Sequence, residues 1–109
     1  MKRTSGSIAT IYTDKNGKPF AVFGSFEIYP AGTIGIPPKT YDSGKVTFSV
    51  KDIDTQVIIE QRLQANLKID GSNWSIGAEP AYNHWTPWQG EPFTAVLESV
   101  KKEYDELLG

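Results

Sequence analysis

The sequence predicts a mainly-β domain: a small antiparallel β-barrel or sandwich of five to six strands, with long Pro/Gly loops and a C-terminal helix. Three observations predict it. Runs of β-branched and aromatic residues recur between residues 7 and 76, a composition suited to a pleated, half-buried surface. Two pairs of such runs are joined by Asn16-Gly17 and Asp70-Gly71, the dipeptides that close tight hairpins. After Pro92 the apolar period changes from two to three and four, which is the period of a helix. A length of 109 residues matches one domain spanning 1–109.

Residues 7–13 form the first strand. Asp14 opens a turn by accepting from nearby backbone, and Gly17 supplies positive φ to close it. The chain then returns through 18–29, where Phe20, Val22, Phe26 and Ile28 share a parity and one face. Gly24-Ser25 interrupts this run and predicts a bulge or bend. Residues 29–44 carry three Pro and three Gly, which oppose a long regular element. Residues 45–50 alternate, with Val46, Phe48 and Val50 on one side and Lys45, Thr47 and Ser49 on the other. Residues 51–54 turn the chain, Val57 to Glu60 are apolar and β-branched, and 61–66 fit a strand or a helical turn. Leu67 and Ile69 match Trp74 and Ile76 as inward residues across the Asp70-Gly71 turn. Residues 77–91 form a second long loop. Phe93, Val96, Leu97, Val100, Tyr104, Leu107 and Leu108 then mark one face of a helix over about 93–108. A short strand at 93–97 followed by a helix at 100–108 is the alternative.

Composition excludes several chemistries. No cysteine is present, so disulfides, thiolate metal sites and a cysteine nucleophile are excluded. A single histidine, His84, cannot build a centre needing two imidazoles from one subunit. Eleven basic against thirteen acidic residues give no basic stripe for gripping phosphate. No span of about 20 apolar residues occurs, and no apolar run follows the charged start as in a secretory signal, so a soluble protein made inside the cell is expected. The Asp52 and Asp54 pair lacks the remainder of a calcium loop and reads as a solvated turn. His84 has no nucleophile elbow to serve, and Glu60, Glu79 and Glu91 are too scattered to define a glycosidase pair. The expectation is a protein that is not an enzyme and needs no cofactor or metal.

The candidate site residues lie in the two loops. Ile34, Ile36, Pro37, Pro38 and Tyr41 place apolar surface in a segment too rich in Pro and Gly to bury it in a regular element. They either cap the domain's own core or await a protein partner. Tyr82, Trp85 and Trp88 crowd seven positions. They are read as a plug for an open barrel end, a protein contact surface, or a platform for sugar rings or bases.

The order of elements resembles the small head–tail joining proteins of long-tailed phages, the lambda type and its prophage relatives. The resemblance runs over roughly residues 7–99. It is carried by Phe20 to Glu27 with its central glycine, the Pro/Gly loop, Val46 to Asp52, the Leu67 to Ile76 hairpin, and the last apolar run. It implies a β-barrel or sandwich that self-associates into a ring on the portal vertex of a virion after synthesis in the host cytoplasm. Portal or connector proteins and tail proteins would be its partners, with DNA passing through the ring without sequence-specific contact and no membrane involved. Ordering of the loops against neighbouring subunits would drive assembly. The loop at 30–44 would be the first candidate for this contact, and that at 79–91 the second. The alternatives are another phage tail, baseplate or inhibitory interaction module, and a carbohydrate-binding module using Tyr82, Trp85 and Trp88.

Overall fold

A computed structural model describes residues 4–31, 42–78 and 85–108. Six strands form one antiparallel sheet in simple meander order, and a helix follows. The strands are β1 (Thr4–Thr13), β2 (Pro19–Tyr29), β3 (Asp42–Asp52), β4 (Ile58–Asp70), β5 (Asn73–Ala78) and β6 (Thr86–Pro87), and the helix is α1 (Phe93–Leu108). The mainly-β expectation therefore holds, with the sheet open rather than closed into a barrel. Residues 61–66 are strand, and 93–99 are helix from the first residue.

The first hairpin forms as its turn chemistry dictates. The Asp14 carboxylate accepts from the N–H groups of Asn16 and Lys18 at 2.8 and 2.9 Å, and Gly17 sits at φ 80°. The β4–β5 hairpin turns at Gly71, φ 64°, and its register pairs Leu67 with Ile76 and Ile69 with Trp74. These are the inward pairs that alternation predicts.

At Gly24 the bulge alternative fails. The β1–β2 and β2–β3 registers run unbroken past it, so no bulge forms. A Cβ there would overlap the Thr47 carbonyl oxygen of β3, and one at Gly44 would overlap the Glu27 carbonyl. Both residues share the parity of the core-facing side chains, and their lack of a side chain lets neighbouring strands close up as the sheet curls. Strand pairing also reaches further into the predicted loops: β3 begins at Asp42 and β5 continues to Ala78.

The curled sheet and α1 enclose one core. Ile8, Val22, Phe26, Ile28, Val46, Phe48, Val50, Ala65, Leu67, Ile69 and Ile76 line the sheet side, and Val96, Val100 and Tyr104 enter from the helix. Each fully buried large aliphatic or aromatic side chain contributes roughly 1.5–3 kcal/mol. The helix lies against both β1 and β5, which are separated by three strands in the sheet, so it fills the open side of the trough. Its first turn is capped by Glu91, whose carboxylate accepts from the Ala95 N–H at 3.3 Å. Leu107, predicted to face inward, is about half exposed, because the last turn of α1 extends past the buried stripe.

A meander alternates strand direction, and this sorts the connections. The 14–18 and 53–57 turns and the start of α1 lie at one end of the sheet. The short β5 ends well before that end: Gly77 stands in one row with Asn66, Lys45, Glu27 and Ser5. At the opposite end the chain leaves β2 at Tyr29 and re-enters at Asp42.

Candidate interaction surface

The end that carries the 53–57 turn is built around Asp52. This carboxylate is buried, contrary to the solvated turn expected from sequence. It pairs with the Lys18 ammonium at 2.7 Å and accepts from the N–H groups of Asp54 and Thr55 at 3.0 and 3.3 Å. The hydrogen bond from Lys18 holds the Asp52 carboxyl below its usual value and raises the Lys18 ammonium in turn. Lys18 also lies over the Phe20 ring, which stacks on Tyr12 at 5.3 Å. With its carboxylate satisfied in this way, Asp52 is a structural anchor. Among the described residues no cluster of three acidic or imidazole groups is placed to hold a metal.

Beyond the anchor, β4 leaves the core. The β3–β4 register slips twice, between Phe48 and Val50 and between Val50 and Lys51. Arg62 takes a left-handed conformation, φ 52°, and its N–H donates to the Ser49 hydroxyl at 3.1 Å. Bulges of this kind add twist and turn a strand aside. Val57, Ile58 and Ile59 are consequently 56%, 48% and 50% exposed. Ile58 pairs with Lys51, Lys51 with Ala21, and Ala21 with Ile11, so these four lie in one row on the outer face of the sheet. Ile11 is 64% exposed, and Phe23, one row along, is 41% exposed. Five of the six large exposed hydrophobic side chains among the described residues therefore lie on β1, β2 and the start of β4 as an interrupted apolar ridge, with Ala21 and Lys51 between Ile11 and Ile58.

Ile34, Ile36, Pro37, Pro38, Tyr41, Tyr82 and His84 lie outside the described residues. Trp85 and Trp88 are both half-buried. Trp88 leans on Phe93 with ring centres 5.1 Å apart, Phe93 meets Phe48 edge-on, and the Trp88 N–H donates to the Ile76 carbonyl at 2.9 Å. Trp88 thus extends the core. The sequence marks Val57 to Glu60 as apolar and β-branched, but its reading missed the ridge. The signal was present: three consecutive apolar residues cannot all face inward on a strand whose side chains alternate.

Two grooves flank α1. One, of about 320 Å³, separates it from β1, and the other, of about 260 Å³, lies beside β5 and β6 and is lined by Trp74, Ile76, Trp88 and Leu97. Comparison with protein-family models, with curated proteins and with solved structures finds no match.

Proposed function

We propose that this chain is a non-enzymatic assembly protein, a virion subunit of the head–tail joining kind whose strand order it resembles. The apolar ridge of Ile11, Phe23, Val57, Ile58 and Ile59 carries the reading. Several large apolar side chains left exposed on one part of a fold support an interaction site, and the bulges and the Asp52 anchor hold them in place rather than leaving them to collapse onto the core. Ring formation by head-to-tail contacts would close such an assembly.

The test is sedimentation. Tagged protein is mixed with lysate from cells producing the parent particle, and the heavy fraction is examined by mass spectrometry. The native chain is expected to travel with portal and tail proteins. The Ile11→Ser, Phe23→Ser, Ile58→Ser triple variant should remain folded and fall at least tenfold in the heavy fraction. A native chain found only with a light host protein, or a triple variant that partitions like the native chain, would overturn the reading.

A further inference from the structure

The ridge takes only the Ile11 side chain from the edge strand β1 and leaves that strand's outward backbone unexplained. Among the described residues β1 pairs only with β2. The hairpin fixes which of its backbone groups point outward. The Asp14 N–H donates to the Lys18 carbonyl at 3.0 Å, so that pair is a hydrogen-bonded one. Hydrogen-bonded pairs alternate along an antiparallel ladder, and the β1–β2 register is continuous. Ile8, Thr10 and Tyr12 therefore bond β2, and the N–H and C=O groups of Ser5, Ser7, Ala9, Ile11 and Thr13 face the open edge.

Native sheets blunt such edges with lysine, proline or bulges. From Thr4 to Thr13, β1 has no charged residue, no proline and no register slip. The edge opens on the groove of about 320 Å³, whose lining includes Ala9, Thr10, Ile11 and Tyr12 of β1 and whose far wall is α1. That wall carries Glu98 and Glu103, with Glu91 at its head, against Lys102 alone. The acidic excess acts on Tyr12, whose hydroxyl is raised by burial and then by the charges of Glu91 and Asp14.

We propose that the open edge of β1 receives an extended, lysine- or arginine-bearing segment of a partner protein, which adds to the sheet as a further strand alongside the acidic wall of α1. Main-chain hydrogen bonds supply the affinity in this mode, and alternate side chains supply the specificity. Charge selects the occupant. A second copy pairing β1 with β1 would bring two acidic walls together, and like charges so placed are unfavourable. A basic strand instead aims every second side chain, about 6.8 Å apart, at the carboxylates. The edge shares Ile11 with the ridge, but this proposal does not rest on head–tail joining and stands or falls without it.

The probe is a nine-residue peptide alternating Thr and Lys, offered to the full chain beside a control alternating Thr and Glu. Backbone amide exchange is followed residue by residue. The Thr-Lys peptide is expected to slow exchange at Ser7, Ala9 and Ile11 at least tenfold, and the control to leave it unchanged. Glu98→Lys combined with Glu103→Lys should weaken the Thr-Lys complex at least fivefold. Ala9→Pro removes one outward N–H without touching the β2 ladder and should abolish binding. Should Ala9→Pro fail to fold, two peptides N-methylated at only the Thr or only the Lys positions replace it, and one should bind while the other does not. Equal binding of both charge types, protection outside β1, or no binding at millimolar peptide would overturn the proposal. So would edge amides already protected in a chain that sediments as a dimer, since a second copy would then hold the site.

Discussion

The two halves of β4 are continuous in backbone and opposite in behaviour. From Leu63 to Asp70 the strand alternates, with Ala65, Leu67 and Ile69 buried and its partners in register on both sides. From Ile58 to Arg62 the register slips and apolar side chains face solvent. Both halves are equally good strand sequence. Alternation without interruption builds a core, and a run of consecutive apolar residues forces some of them out, so the outward half is available for a partner. Burial rather than hydrophobicity should therefore decide what each half contributes to stability.

The largest effect is expected at Phe48, which is fully buried and pairs with Leu63 at the junction of the two halves. Phe48→Ala should cost roughly 3–5 kcal/mol in chemical denaturation, and a loss under about 1 kcal/mol would break the distinction. Next is Asp52→Asn, read as the pH dependence of the melting temperature. Asp52 titrates lower in the folded chain, so its stabilisation is present above the ordinary carboxyl value and is lost as pH falls below about 4. Lys18 titrates higher, so its share is present below its ordinary value and is lost as pH rises beyond about 10. The variant should melt lower than the native chain at pH 7 and show a shallower acid limb. Arg62→Gly removes a left-handed strain and should raise stability by about 0.5–1 kcal/mol. Ile58→Ser in the outward half, and Lys45→Ala on the exposed row of β3, should each stay within about 0.5 kcal/mol.

Much of the fold was legible because local signals agreed with one another. The Asp70-Gly71 turn and the flanking alternation both require Leu67 to meet Ile76, and they do. The three-and-four spacing of Phe93, Val96, Leu97, Val100 and Tyr104 outweighed the competing alternation at 93–97, because the trough between β1 and β5 accepts a helix. Gly24 was only partly legible because a glycine within a strand marks either a bulge or a close approach, and only the position of the Thr47 carbonyl distinguishes them. Asp52 misled because its partner, Lys18, is 34 positions away in sequence. The candidate site was less legible. Trp88 was recognised as notable and turned out to support Phe93, whereas the ridge depends on two bulges and a left-handed Arg62, none of which has a marker such as Gly or Pro.

Leu107 of α1 reaches the inner face of β1 at Gly6, where an added Cβ would stand 3.2 Å from its Cδ1. The start of β1 and the end of α1 therefore meet, at the end of the molecule opposite the ridge. A fluorophore or affinity handle fused at either place would stand clear of the ridge. The same closeness makes the fold from Thr4 to Leu107 a good subject for circular permutation: a short linker could join those two places, and new ends could open in the exposed 54–56 turn, placing a reporter beside the ridge.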